Sequence, residues 1–189
     1  IIFNKWIRHS IWWPDYKIRF FRRGNVKWSD EIHSEPIGTG HPLQLEELED
    51  LSIVHHYYQT ISQFLARMDQ YTDIEVSQII KNGKKINSVD AIRWPANDFL
   101  KTFFQEEGYK DGLHGLVLSI FQAFYAFVVF AKAWERHEKF NEIAKENILE
   151  KTIEESGSIS KDFKYWINTK MMDEKPAKKI YYKIKRRLR

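Results

Sequence analysis

The chain has 189 residues, room for one ordinary domain or a domain with a helical appendage. It holds no cysteine, which excludes disulfides and thiolate metal sites within it. Its net charge of +4 comes from one end: eight of the 30 Lys and Arg lie in residues 175–189 without an acid, so the remaining 22 face 26 Asp and Glu. A mildly acidic body with a basic tail points the tail at an anionic surface, lipid or nucleic acid, rather than the whole molecule.

The chain begins Ile1-Ile2-Phe3, without Met or a signal-peptide pattern, and this reads as the interior of a buried strand. The chain is therefore expected to be a piece of a longer protein. Residues 1–54 read as strands and turns. Tyr16-Lys17-Ile18-Arg19-Phe20-Phe21 alternates and ends at the turn signal Arg22-Arg23-Gly24, with Asn25-Val26-Lys27-Trp28 as a short return strand. Pro36, Gly38, Gly40 and Pro42 mark a loop, and Leu51-Ser52-Ile53-Val54 a last strand.

Residues 56–81 carry apolar side chains at spacings of three and four, among them Tyr57, Phe64, Met68, Tyr71 and Val76, which predicts a packing helix that stops at Asn82-Gly83. Residues 83–94 read as a polar linker, and Pro95 as the first turn of a helix over 95–104. A glycine-punctuated turn, Gly108-Tyr109-Lys110-Asp111-Gly112-Leu113-His114-Gly115, follows. Residues 116–131 are free of charge but shorter than the about 20 residues a span requires, so a helix lying in a membrane interface is expected, with a buried core helix or a true transmembrane span as the alternatives. Residues 134–151 continue as a charged helix, Ser156-Gly157-Ser158 reads as a break, residues 159–172 as a short helix, and the basic tail closes the chain. This divides the chain into residues 1–82, 83–155 and 156–189.

Two constellations carry chemistry. Trp12-Trp13-Pro14-Asp15, continuing through Arg19 and Arg22-Arg23-Gly24, sets a carboxylate and three arginines beside aromatics. Trp28-Ser29-Asp30-Glu31-Ile32-His33-Ser34-Glu35 adds acids and a histidine. Sugars stack their apolar faces on aromatic rings while carboxylates bond their hydroxyls, and arginine forks suit phosphate groups. A solvated hairpin would use the same residue types.

The run from Trp12 to Gly24, then Val26-Lys27-Trp28 and Ile32-His33, resembles the signature of family 2 glycosyltransferases, in the subgroup similar to the glucosyltransferases of lipopolysaccharide-core assembly. His55-His56-Tyr57-Tyr58, Ile61-Ser62-Gln63-Phe64-Leu65, Arg67-Met68 and Tyr71-Thr72, and the glycine turn before an aromatic helix, extend the resemblance over roughly residues 3–135. Two departures stand out. The family's adjacent His-Glu pair is here His33-Ser34-Glu35, and Phe20 stands where Leu is common.

The resemblance implies an α/β remnant of a nucleotide-diphospho-sugar transferase domain over residues 1–54, followed by a mostly α-helical region. It implies inverting transfer of a sugar from a nucleotide-diphosphate donor to a cell-envelope glycan or lipid-linked acceptor. The implied cofactor is a divalent cation, Mg2+ or Mn2+, held mostly by an amino-terminal half with an Asp-x-Asp type motif. No Asp-x-Asp occurs in these 189 residues, so the piece alone is expected to be inactive. Asp15 is the first candidate for general base, with a turn-capping role as the alternative. Asp30 and Glu31 stand in reserve. His33 is the candidate metal ligand, or a loop residue. Arg19, Arg22 and Arg23 are candidates for a diphosphate or acceptor phosphate, Trp12, Trp13 and Trp28 for an acceptor platform, and Glu35 for substrate contact. Lys110 and Asp111 would sit near lipid headgroups. The expected location is the inner, cytoplasmic face of a cell membrane, with an anionic lipid surface as partner and no nucleic acid. The rival expectation is a non-enzymatic membrane-binding or interaction module.

Overall fold

The structure is a computed structural model, and it describes residues 1–27, 36–38, 40–141 and 147–187. Five α-helices are described: α1 (Ile61–Lys81), α2 (Asp90–Phe99), α3 (Leu113–Glu138), α4 (Ile148–Glu174) and α5 (Lys179–Arg187). Residues 1–54 hold two short strands, β1 (Val26–Lys27) and β2 (Ile37–Gly38), paired antiparallel with Val26 opposite Gly38. β1 falls on the expected return strand. Residues 16–21 and 53–54 carry no ladder among the described residues, and Glu49–Leu51 is a short 3-10 turn.

The chain start packs as a strand does. Ile2 bridges Tyr58 in parallel, with Phe3 N donating to Tyr58 O at 2.8 Å and Tyr57 N to Ile1 O at 3.0 Å. This places buried Ile2 and Ile7 against Tyr58, Phe64, Met68 and Leu118, one half of the core. The other half is Val76, Ile86, Val129, Phe130 and Ala133. Helix α3 supplies both halves, and α1 packs along it through its Phe64, Met68, Thr72 and Val76 stripe.

Capping chemistry sets where the helices begin. Helix α1 starts at Ile61, not 56, because Thr60 Oγ1 accepts from Gln63 N at 3.2 Å while Gln63 Oε1 accepts from Gln59 N at 2.9 Å. Helix α2 starts at Asp90, five residues before Pro95, because Asp90 Oδ2 reaches back to Asn87 N at 2.8 Å. Pro95 thus lies inside α2 instead of opening it. A wider π-type turn, Leu100–Gln105, continues α2 and ends the run expected to close at 104.

The break expected at Ser156-Gly157-Ser158 is absent; α4 runs through it. Gly in a helix interior costs about 1 kcal/mol relative to Ala, which packing on both sides of it overrides. Arg93 on α2 is hydrogen-bonded to Glu155 and, at 2.8 Å, to Asp162, and Phe163 stacks on Phe99 at 5.8 Å. The charged helix expected over 134–151 is also interrupted: α3 ends at Lys139 in the left-handed conformation, and α4 opens at Ile148 under the Asn147 cap. The basic tail forms α5, packed on α4.

Candidate functional site

The expected site residues fall into three groups. Trp28, Asp30, Glu31, His33 and Glu35 lie outside the described residues. Asp15, Arg19, Arg22 and Arg23 occupy an exposed loop. Asp15 follows the cis Trp13–Pro14 peptide and pairs with Lys17 at 3.2 Å, its carboxylate open to solvent. With no ladder over 16–21, strand alternation does not separate the arginines onto opposite faces. Arg22 and Arg23 lie at the Gly24 turn, where Asn25 N donates to Arg22 O at 3.0 Å. Trp13 sits edge-on to Trp6 at 5.1 Å, and the Arg8 guanidinium lies 3.9 Å from the Trp6 ring centre. Trp12 turns the other way, onto the core, and lines a cavity there.

That cavity, about 270 Å³, lies between α1 and α3. Its α1 wall is Phe64, Met68, Tyr71 and Glu75, one face of the helix by their spacing. Gln122 and Tyr125 come from α3, Tyr57 and Tyr58 from the segment beside the chain start, and Ile11 and Trp12 from the 3-10 turn Ser10–Trp12. Tyr125 Oη donates to Glu75 Oε2 at 2.7 Å, and Gln122 Nε2 donates to Asp98 Oδ2 at 3.3 Å. The Arg67 guanidinium lies 5.3 Å from both the Tyr57 and Tyr58 ring centres and donates to Tyr57 O at 3.1 Å.

Burial pushes the Tyr58, Tyr71 and Tyr125 hydroxyls above the usual tyrosine range, with the Glu75 carboxylate adding to the rise at Tyr125. They stay protonated donors at any ordinary pH. Burial also raises the Asp98 carboxyl, against the Gln122 hydrogen bond that lowers it. Among these groups only Trp12 was singled out in the sequence as a binding residue. The tyrosines and Glu75 sit within a stripe that reads as packing, and what could have flagged them is their hydroxyls and carboxylate on an apolar face.

The glycine turn before α3 is a structural corner. Asp111 is buried and accepts from Arg8 N at 3.1 Å and His9 N at 2.9 Å, with His9 Nδ1 at 3.3 Å and Lys5 Nζ at 3.8 Å. This corrects its expected place at lipid headgroups: the carboxylate faces inward and ties residues 5–9 to α3. Lys110 pairs with Glu107 at 2.5 Å, and His114 Nε2 donates to Phe3 O at 3.1 Å. The corner positions Trp12 and Trp13, which follow within a few residues of His9.

Among the described residues no group of three or more His, Asp or Glu converges on a point where a metal ion could sit. His33, the expected ligand, lies outside those residues.

No family model matches the chain, and no solved structure matches it. Over 122 residues it is 24% identical to the lipopolysaccharide core biosynthesis glycosyltransferase LpsC of Rhizobium meliloti strain 1021. The chain is a distant relative of a glycosyltransferase. The matched stretch covers 64% of this chain and 44% of LpsC, so the chain spans less than half the length of that relative.

Proposed function

We propose that this chain forms the acceptor side of a family 2 glycosyltransferase that moves a sugar, with inversion, from a nucleotide-diphosphate donor to a cell-envelope glycan or lipid-linked acceptor. The observation that carries the reading is the likeness to LpsC, joined by the ordered motifs from Trp12 to Gly24. In the reaction, an acceptor hydroxyl attacks the anomeric carbon, the bond from that carbon to the diphosphate oxygen breaks, and a base takes the hydroxyl proton. Asp15 is that base in this reading. Its carboxylate is exposed, and the arginines that follow it in the same loop would meet the diphosphate or an acceptor phosphate. In a protein carrying this chain together with its donor-binding part, Asp15→Asn is expected to lower turnover about 100-fold or more, while donor binding measured by calorimetry is unchanged. Turnover within a few-fold of wild type would remove Asp15 from the mechanism.

The same enzyme works at the inner, cytoplasmic face of a membrane in this reading. Helix α3 is long and apolar enough to cross a bilayer, yet one face of it is buried in the core. The opposite face leaves Leu113, Ile120, Phe124 and Phe127 exposed in one stripe. Helix α5 adds exposed Ile180, Tyr181 and Ile184 beside Lys and Arg. An apolar face and a basic helix are the two signals that stable surface binding generally takes. Co-sedimentation with vesicles containing phosphatidylglycerol, weakened by salt and by Ile120→Asp with Phe124→Asp, is the expected result. A protein that stays in the supernatant with those vesicles is not peripheral on such a membrane.

A further inference from the structure

The cavity between α1 and α3 has chemistry that the transfer reading does not use. Its walls are aromatic, its donors are tyrosine hydroxyls, and its acceptors are Glu75 and Gln122. Glu75 gives one carboxylate oxygen to Tyr125, and Gln122 gives its amide nitrogen to Asp98. The other Glu75 oxygen and the Gln122 carbonyl oxygen meet no protein donor among the described residues. The Arg67 guanidinium beside the cavity lies over the Tyr57 and Tyr58 rings and bonds a backbone carbonyl.

These features narrow the ligand. An anion would meet the Glu75 carboxylate without a cation aimed at it. A quaternary ammonium would find two of the aromatic faces already serving the Arg67 guanidinium. A neutral ring with C–H faces and hydroxyl edges meets no such conflict: its faces pack on Trp12 and Tyr125 while its hydroxyls pair with Glu75 and Gln122. Small-molecule sites are mostly apolar with a few placed polar groups, and a volume of about 270 Å³ suits a single ring.

We infer that this cavity is a saccharide-binding site that takes one neutral pyranose unit. The ligand class is read from the cavity's own groups. Only the further step, that the bound unit belongs to the acceptor glycan, rests on the proposed transfer function. The site then holds one sugar of the acceptor against Trp12, on the segment that continues into Trp13 and Asp15.

The test is saturation-transfer NMR on the chain with methyl β-D-glucopyranoside, with choline as the cationic probe. The glucoside is expected to receive saturation through its ring protons, with affinity falling about tenfold or more in both Glu75→Gln and Tyr125→Phe. Glu154→Gln, an exposed change on α4, should leave it unaltered. Absence of transfer to the glucoside in the wild-type chain overturns the proposal. So does binding that both cavity variants leave intact, and so does choline binding in its place. A chain that binds the glucoside while the complete protein transfers no sugar keeps the site and refutes the transferase reading.

Discussion

Gly115→Ala is expected to destabilise the protein more than any other single methyl addition to a described glycine. A Cβ at Gly115 would stand 1.7 Å from Gly108 O and 2.7 Å from Gly108 C, atoms of the backbone that no rotamer change moves aside. Helix α3 begins so close to the preceding turn that only a hydrogen fits between them. Forcing the two apart opens the corner that orders residues 5–12. The cost is put at about 3 kcal/mol or more, the upper end of overpacking effects, against a total stability of about 5–15 kcal/mol for an ordinary domain. Gly157→Ala is the matched control. Nothing lies within 4 Å of its Cβ and it sits inside α4, so it should stabilise by about 0.5–1 kcal/mol. Urea unfolding of both variants reads the difference. Equal midpoints would mean that α3 does not pack against Gly108 in this way.

Asp111→Ala carries the second large effect, and it extends from stability to the site. The carboxylate is 5% exposed and accepts the backbone N–H groups of Arg8 and His9. Its removal leaves two donors without a partner in a partly buried corner and strips the nearby Lys5 of its counter-charge. Together these are expected to cost about 2–5 kcal/mol, with Asp111→Asn less damaging because one acceptor oxygen remains. Amide hydrogen exchange gives the specific signature. The Arg8 and His9 amides should exchange faster in Asp111→Ala, while amides in the middle of α4 change only as far as global stability falls. Protection at Arg8 and His9 that survives the substitution would show that Asp111 is not what holds this segment. The functional corollary is a loosened Trp12 and weaker saccharide binding in a variant that is still folded.

Both effects start from a stretch whose composition is plain in the sequence and whose geometry is not. Gly108, Gly112 and Gly115 mark a turn at once, but the need for a bare Cα at Gly115 arises from the Gly108 carbonyl across the turn. Asp111 looks like a solvent-facing acid until its partners, about a hundred residues earlier, fold over it. Helix α1 was legible because its apolar stripe repeats at three and four, with Thr60 and Gln63 forming a capping box that fixes its start. Pro95 marks a helix start by its residue type, whereas the earlier start of α2 depends on the Asp90 side chain reaching back to Asn87 N, a contact that shows only in the fold. Gly157 looked like a break because the Arg93 clasp on Glu155 and Asp162 joins residues far apart in the chain.

The site divides in the same way. Trp12 and Trp13 stand out as adjacent large aromatics, but nothing local says that one turns into a cavity and the other toward Trp6. Tyr71, Glu75, Gln122 and Tyr125 belong to two helices read separately as packing elements. Only the docking of α1 on α3, held by Lys132 against Asp69 at 2.7 Å and Asp73 at 2.6 Å, brings them around one space. The apolar run of 116–131 buries one face of α3 in the core and leaves Ile120, Phe124 and Phe127 exposed on the other.

In the proposed function this chain serves sugar transfer to an envelope glycan. Its most direct test is mass spectrometry of the cell-envelope glycans from cells in which the gene encoding this chain is deleted in frame, and again after it is restored. The expected result is an acceptor glycan lighter by one sugar residue in the deletion, returned to full mass by the wild-type gene and not by one carrying Asp15→Asn. Glycans of unchanged mass in the deletion, in cells shown to express the protein before it, would contradict it.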